Sequence, residues 1–252
     1  MNQLVTFLKK EYFEQLKNHK CLVLIILFCI VGIISPAIAK LMPWLFEMFL
    51  TDSGIAVENY QVDALTSWSQ YFKNMQLILV IFVVMFSSIL ISEKQKGTLI
   101  ILLSKGLKRK NVIISKTIIL FIFWTIGYLL SLLITYGYTT YFFDSHIINS
   151  LSFTIFCFYL FGLYLCSLII LSSVFCKSVP AVIISIGIIF FTCYLLALIP
   201  ALTTYFPTAL INYTNLLSNI NINDYLPVII ITSILTVLNL AGAIIGFKKS
   251  IL

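Results

Sequence analysis

The sequence predicts an all-α integral membrane protein, with six transmembrane helices in a single domain spanning residues 1–252. Of its 252 residues, 61% are hydrophobic and only 10% are charged, whereas soluble domains are about 45–50% apolar. The mean hydropathy is +1.07. Six apolar runs approach the roughly 20 residues that a helix needs to cross the hydrocarbon core of a bilayer. The central part of each run lacks Asp, Glu, Lys and Arg.

Two long polar segments and several short turns separate the predicted spans. The fourth and fifth spans are joined only by residues 176–178, which predicts a tight hairpin. The segments 40–73 and 201–225 are expected to be loops on the outer side of the membrane. Trp68 and Tyr71 in the first of them are expected at headgroup depth, where aromatic rings are enriched. The spans cover approximately residues 21–39, 75–92, 117–140, 151–175, 179–200 and 226–246.

The basic residues gather on one side of the predicted membrane. If the N-terminus is cytosolic, fourteen of the sixteen Lys and Arg residues are cytosolic, and only Lys40 and Lys73 lie outside. Because cytosolic loops carry an excess of Lys and Arg, we expect a plasma-membrane protein with both termini in the cytoplasm. This distribution accounts for the net charge of +7, and it gives no indication of a nucleic-acid partner.

Residues 1–19 predict an amphipathic helix on the cytosolic surface of the membrane. Leu4, Leu8, Tyr12 and Leu16 recur every four residues and form one apolar face of that helix. The lysines lie mostly on other faces, and each lysine near an anionic leaflet contributes about 1 kcal/mol of attraction. The expected partner of this interfacial helix is therefore membrane lipid.

The chain lacks the sequence signatures of an enzyme. It has no G-x-x-x-x-G-K-[ST] motif to hold ATP phosphates, and its two histidines, His19 and His146, fall on opposite sides of the predicted membrane. The six cysteines lie in or beside apolar runs without a C-x-x-C motif, so we expect small buried side chains rather than metal ligands. The absence of a carboxylate within the spans disfavours a proton-coupled or sodium-coupled carrier. We expect no catalytic residue, metal or cofactor in this chain.

The segment 93–116 interrupts the membrane domain with seven basic residues and one acidic residue. Because each Lys or Arg costs about 2.5–3.5 kcal/mol at the centre of a bilayer, this segment must lie outside the hydrocarbon core. Glu93 begins the segment at the membrane boundary. Its expected partners are Lys94, Lys96 or Arg109, and the alternative role is to hold the spans against the short helix that follows.

Residues 98–103 of this segment are mostly apolar and predict a short helix. Thr98 is an acceptable N-terminal cap, and Gly106 suits the left-handed conformation that follows a helix. The helix is far too short to cross a membrane, and an exposed aliphatic run needs cover. Both the membrane surface and a cytosolic protein can provide that cover.

The stretch SEKQKGTLIILLSKGLKRKNVIISK, residues 92–116, resembles the region between the second and third spans in permease subunits of ABC-2 type transporters. That family shows an acidic residue at the end of the second span, then Gly-Thr, a Leu-rich turn, Ser, Arg and a Lys before the third span. The family often has Pro where this chain has Gly106-Leu107. The matching residues are Glu93, Gly97, Thr98, Leu102, Leu103, Ser104, Arg109 and Lys116.

The resemblance implies a permease that works with a separate cytosolic ABC ATPase subunit and with a second permease, either a copy of this chain or a paralogue. ATP and Mg would be held by the ATPase and not by this chain. The segment 93–116 would carry a coupling helix that docks in a groove of the ATPase, with Leu102, Leu103 and Arg109 as the first residues to test. The residues expected to take part are Glu93, Gly97, Thr98, Leu99, Leu102, Leu103, Ser104, Lys105, Arg109 and Lys116.

The expected function is ATP-driven export of hydrophobic or amphipathic cargo. Apolar, aromatic-rich spans favour such cargo, and the chain is similar to small permeases of bacterial peptide exporters, including a staphylococcal exporter of cytolytic helical peptides. Peptide is therefore favoured over lipid or a lipophilic drug. The alternative is a non-transporting membrane immunity or sensor protein, which would neither need nor stimulate an ATPase.

Overall fold

The computed structural model describes residues 3–50, 63–104, 106–143, 150–197, 199, 205–218 and 222–249. Within these ranges all regular secondary structure is helical. Two short 3-10 helices, Pro207–Ile211 and Ile222–Tyr225, lie in the connection before the last long helix. The α-helices α1 to α10 are, in chain order, Gln3–Lys17, Lys20–Leu50, Ala64–Phe86, Ser88–Gln95, Thr98–Ser104, Arg109–Phe142, Leu151–Phe175, Val179–Leu196, Tyr213–Leu217 and Leu226–Lys249.

Six helical stretches in the described part of the chain are long and apolar enough to cross a membrane, which confirms the predicted fold class. The spans are α2, α3 together with α4, α6, α7, α8 and α10. The second span is interrupted at Ser87, whose hydroxyl donates to the carbonyl oxygen of Val84 at 2.9 Å. The predicted hairpin of residues 176–178 is confirmed, because α7 ends at Phe175 and α8 begins at Val179.

In the described part of the first expected loop, residues 40–50 and 64–73 are helical, so the prediction of a loop there was wrong, whereas residues 51–62 lie outside the described residues. Helix α2 continues through Pro43 to Leu50, and α3 begins at Ala64. Proline lacks an N–H donor and usually ends a helix, but α2 continues past it. The prediction rested on hydropathy. Hydropathy counts polar residues but contains no information on whether another helix provides their hydrogen-bond partners.

Trp68 and Tyr71, expected at headgroup depth, are instead buried in the bundle. Their exposed fractions are 3% and 0%. The Tyr71 hydroxyl lies 3.0 Å from the Ser131 hydroxyl of α6, and one turn earlier Ser67 pairs with Thr139 at 2.7 Å. Since buried polar groups need hydrogen-bond partners, these two contacts allow the polar start of α3 to pack inside.

Helix α7 forms the centre of the bundle and packs against α3, α6, α8 and α10, while α2 packs against α3 and α6. An aromatic cluster joins three spans around Trp124, whose ring lies 5.9 Å from Phe28 and 5.7 Å from Phe82 in edge-to-face geometry. Gly162 gives the Trp124 ring its space, because a Cβ atom there would lie 2.0 Å from the indole. Close helix approach at this glycine therefore allows the cluster to form.

The second expected loop, 201–225, is described only in part, and the described part packs into the bundle. Leu210 and Leu216 are 0% and 1% exposed. The amide of Gln76 on α3 donates to the Ile211 carbonyl at 2.8 Å, and the Thr154 hydroxyl on α7 donates to the Leu216 carbonyl at 3.1 Å. These bonds hold the short helices between the spans, so this segment is not a simple surface loop.

Candidate functional site

The predicted coupling segment and helix α1 meet at one end of the bundle. We call it the basic end and define it by Lys10, Lys94, Arg109 and Lys116. Here α1 packs against α6 and α2, and α4 leads directly into α5. The side chains of this end therefore come from segments that are far apart in sequence.

Helix α5, Thr98–Ser104, extends one residue beyond the predicted range 98–103 and is flanked by two glycines in left-handed conformations. The φ angles are +67° at Gly97 and +89° at Gly106, a region that residues with a side chain rarely adopt. After the helix, Gly106 N–H donates to the Leu103 carbonyl at 3.0 Å and Leu107 N–H donates to the Leu102 carbonyl at 3.3 Å. This pair of bonds is a Schellman motif, which ends α5 sharply before α6 begins.

The side chains of α5 differ in their exposure. Leu99 is fully buried, and Leu102 and Leu103 are partly buried against the hydrophobic core. Ile100 and Ile101 face outward, with 52% and 57% of their surface exposed. Ile100 and Ile101 are therefore the most exposed apolar side chains of α5, and the expected ATPase contacts of Leu102 and Leu103 remain a prediction. A helix of seven residues with five aliphatic side chains carries no sequence signal for its orientation.

Glu93 lies in a partly buried cluster of charges that joins three helices. Lys116 Nζ lies 2.9 Å from a carboxylate oxygen of Glu93 and 2.9 Å from one of Glu11. Lys10 contacts the other oxygen of Glu93 and lies 2.7 Å from Glu14. We call these five residues the charge cluster. The sequence-based pairing of Glu93 was wrong, since the expected partners were Lys94, Lys96 and Arg109.

Glu11 belongs to the charge cluster although its sequence pattern did not predict it. Phe7, Glu11 and Gln15 lie four residues apart and form the buried face of α1, whereas Tyr12 and Leu16 of the predicted apolar face are exposed. Burial raises the pKa of the Glu11 carboxyl above its ordinary value, although the nearby Lys116 ammonium acts in the opposite direction. The four-residue spacing of Phe7, Glu11 and Gln15 was the available signal. Its polar content made the other face look more suitable.

The carboxylates of Glu11, Glu14 and Glu93 lie close enough together to suggest a metal site. One oxygen of each lies within 4.8 Å of the others. However, Lys10 contacts all three carboxylates, and Lys116 contacts two of them. The amino groups thus supply the compensating positive charge, and the arrangement is best described as an ion-pair network.

Arg109 lies at the junction of α5 and α6, and its guanidinium points toward the end of α10. Its Nη1 atom donates to the carbonyl oxygens of Phe247 at 3.1 Å and Lys248 at 3.0 Å. The last carbonyls of a helix lack partners within the helix. Arg109 is therefore bonded to the end of another span, and its expected contact with an ATPase remains a prediction.

The remaining predicted residues of the coupling segment either make hydrogen bonds only within that segment or lie outside the described residues. Thr98 was predicted as the N-terminal cap of α5 but is its first residue. It is exposed, and its hydroxyl donates to the Glu93 carbonyl at 3.3 Å, which connects the start of α5 to α4. Ser104 is exposed and donates to the Ile101 carbonyl at 2.9 Å. Lys105 lies outside the described residues. Of the expected interfacial face, Leu4 and Leu8 are only partly exposed.

A family profile decides the class of this protein. Residues 5–247 match the profile of the ABC-2 family transporter proteins, from within α1 to the last turn of α10. The chain belongs to the ABC-2 family. No curated protein and no solved structure is significantly similar to it. The ABC-2 permease is accordingly a multi-pass plasma-membrane component of an ABC transporter, and the family implies an ATPase partner.

The ABC-2 permease also has an apolar groove among its spans. A cavity of about 340 Å³ lies between α3, α7 and α8. Its lining is almost entirely hydrophobic and includes Val80, Phe161, Ile186 and Phe190, and the amide of Gln76 in its wall is already bonded to Ile211. Val80 is 63% exposed, so the groove is open on the lipid-facing side of α3. It suits an apolar guest.

Proposed function

We propose that this ABC-2 permease is the membrane half of an ATP-driven exporter, and that α5 is its coupling helix for a separate cytosolic ATPase. The observation that carries the proposal is the outward position of Ile100 and Ile101 on a short helix between Gly97 and Gly106. Two aliphatic side chains that are more than half exposed at a highly charged end need cover. A hydrophobic groove in a partner provides it, and basic residues around α5 suit acidic residues at the rim of that groove.

The proposed orientation puts the basic end and both termini in the cytosol. The asymmetry of Lys and Arg supports it, because cytosolic loops carry an excess of these residues. We expect Lys17→Cys, at the end of α1, to react with a membrane-impermeant maleimide only after cells are permeabilised, and Tyr205→Cys to react in intact cells. Both side chains are exposed. The parent chain is the control for its own cysteines, and reversed labelling of the two variants would contradict the orientation.

The proposed cargo is an amphipathic peptide, moved out of the cell. Its support is the apolar groove between α3, α7 and α8, together with spans that are free of charge at their centres. A second permease, a copy of this chain or a paralogue, completes the pathway. Export is tested in inverted vesicles that contain the permease and its ATPase. The proposal expects ATP-dependent uptake of a fluorescent amphipathic helical peptide, and uptake of only a labelled phospholipid would identify a lipid exporter instead.

The docking of α5 is tested with the double variant Ile100→Glu, Ile101→Glu. We expect the variant to fold normally and to lose co-purification of the ATPase by more than about tenfold, since buried apolar anchors dominate interface energies. The measurement is the amount of a protein with a G-x-x-x-x-G-K-[ST] motif that tagged permease retains from native membranes, identified by mass spectrometry. Val5→Glu places a charge at another exposed apolar position of the basic end, on α1, and is the matched control.

Two outcomes of this experiment would contradict the proposed function. If the double variant retains the ATPase as well as the control does, α5 is not the docking helix. If the wild-type permease retains no ATPase at all, the alternative of an immunity or sensor protein gains support. Leu102→Glu is expected to act differently, because its partly buried position makes it lower the folded yield rather than docking alone.

A further inference from the structure

Two basic side chains that flank α5 reach the ends of spans that are not its neighbours in sequence. Before the helix, Lys94 Nζ donates to the carbonyl oxygens of Ser173 and Val174, both at 2.8 Å. After it, Arg109 donates to the two carbonyls at the end of α10 described above. The two bonded pairs are about 80 and 139 residues apart in sequence. They connect the surroundings of α5 to α7 and α10.

Each contact is made where a cation has a specific physical reason to bind. Ser173 and Val174 belong to the last turn of α7, where the carbonyls have no intrahelical donor. The same is true of the carbonyls that Arg109 meets in the last turn of α10. The C-terminus of a helix also carries partial negative charge, which attracts Lys and Arg. A neutral side chain of similar length at either position would lose both interactions.

Phe247 connects the two contacts to one another. Its carbonyl accepts from Arg109, and its ring lies 6.0 Å from the Lys94 ammonium, within the range of a cation–π interaction. The residue is fully buried. Gln95, next to Lys94, also donates to the Lys177 carbonyl at 3.4 Å, in the hairpin that follows α7. The ends of α7 and α10 are therefore held beside the coupling segment by several contacts.

We propose that Lys94 and Arg109 are positioning residues that transmit a displacement of α5 to α7 and α10. This inference rests on the proposed docking of α5. Lys94 lies just before Gly97, and Arg109 lies just after Gly106. When α5 moves, the chain on each side of it moves too, and on each side this movement displaces one of the two contacts. The ATPase thereby acts on four spans: α3 with α4, α6, α7 and α10. Through the covalent connections of α5 alone, the ATPase would act on only two spans, α3 with α4 and α6.

The transmission is tested by hydrogen–deuterium exchange of the full-length permease in lipid nanodiscs, with Lys94→Met, Arg109→Met, Lys94→Arg and Arg109→Lys. In permease without ATPase, Lys94→Met is expected to speed exchange in residues 170–177 by about two- to tenfold, and Arg109→Met in residues 243–249, because a C-terminal cation stabilises the last turn. The Lys94→Arg and Arg109→Lys variants keep a donor and a charge, and should behave like the wild type. Exposed Lys96→Met is the matched control.

The second arm adds the ATPase with a non-hydrolysable ATP analogue. In the wild type, exchange is expected to change in α5 and at both distant ends. Lys94→Met should abolish the response of residues 170–177 and keep that of residues 243–249, and Arg109→Met should do the reverse. If Lys94 and Arg109 only stabilised the fold, the two variants would not lose the ATPase response at opposite helix ends.

The outcomes separate this inference from the proposed function. If the response of residues 170–177 survives Lys94→Met and that of residues 243–249 survives Arg109→Met, transmission through these contacts is wrong. The same conclusion follows if either variant abolishes both responses. If α5 of the wild type does not respond to the ATPase, the proposed docking has failed. The inference about transmission then fails with it, whereas the exchange of permease alone still reports whether the two contacts hold the helix ends.

Discussion

Replacing Lys116 with Met is expected to destabilise the permease by about 3–5 kcal/mol, the usual cost of removing one partner from a buried ion pair. The Lys116 side chain is 1% exposed, and it lies 2.9 Å from carboxylates of Glu11 and Glu93 that are themselves buried. Without it, the three carboxylates of the charge cluster face Lys10 alone. Removing the cation leaves negative charge on Glu11 and Glu93, whose side chains are only 0% and 5% exposed, beside the partly exposed Lys10.

The measurement is unfolding in mixed micelles by titration with sodium dodecyl sulfate, followed by tryptophan fluorescence. Lys110→Met, at an exposed position of the same helix, is the control and should cost little. Adding Glu11→Gln to Lys116→Met should recover part of the stability, because it removes one of the uncompensated charges. If Lys116→Met unfolds at the same detergent concentration as Lys110→Met, the charge cluster does not contribute to stability, contrary to this prediction.

The pH dependence of the Lys116→Met variant gives an independent check. Burial already raises the pKa of the Glu11 carboxyl, and losing the Lys116 ammonium raises it further. A carboxyl whose pKa is higher in the folded state binds its proton more tightly when folded, so folding stability increases as pH falls from the folded pKa toward the ordinary value near 4.5. The deficit of the variant relative to Lys110→Met should therefore shrink on acidification. If the stability deficit of Lys116→Met grows on acidification, Lys116 does not compensate the charge of Glu11.

The charge cluster shows where prediction from sequence reaches its limit. The six spans, the hairpin at residues 176–178 and both ends of α5 were predictable, because hydropathy and left-handed glycines act locally along the chain. The buried face of α1 was not, since Glu11 becomes acceptable inside only when Lys116, 105 residues away, lies beside it. A polar residue at an inward position looks unfavourable until its partner is known.

The same reason explains the other corrections. The start of α3 was predicted as a loop because its serines and tyrosine look polar, and Ser67 and Tyr71 are satisfied by Thr139 and Ser131 of α6. Similarly, the choice between Leu102 and Ile101 as the exposed side chain depends on how α4 and α6 present α5. Such information is carried by tertiary contacts, which hydropathy and motif spacing do not encode.

Replacing Gly162 with Ala is expected to destabilise the permease by about 3 kcal/mol, at the upper end of the usual cost of overpacking. A Cβ atom on this residue would lie 2.0 Å from Cε2 and 2.4 Å from Nε1 of Trp124. The indole cannot simply rotate away, because its ring packs against Phe28 and Phe82 and its N–H donates to the Tyr159 carbonyl at 3.2 Å. Either the tryptophan loses this bond or α6 and α7 separate.

The control for this change is Gly137→Ala on α6, where an added Cβ would meet no atom within 4 Å. Alanine favours a helix over glycine by up to about 1 kcal/mol, so Gly137→Ala should be neutral or slightly stabilising in the same detergent titration. Trp124→Phe makes room for the methyl group, and combining it with Gly162→Ala should cost less than the sum of the two single changes. If the two changes in unfolding free energy simply add, Gly162 and Trp124 are not in contact. A Gly162→Ala variant as stable as Gly137→Ala would mean that α6 and α7 approach less closely than the 2.0 Å clash requires.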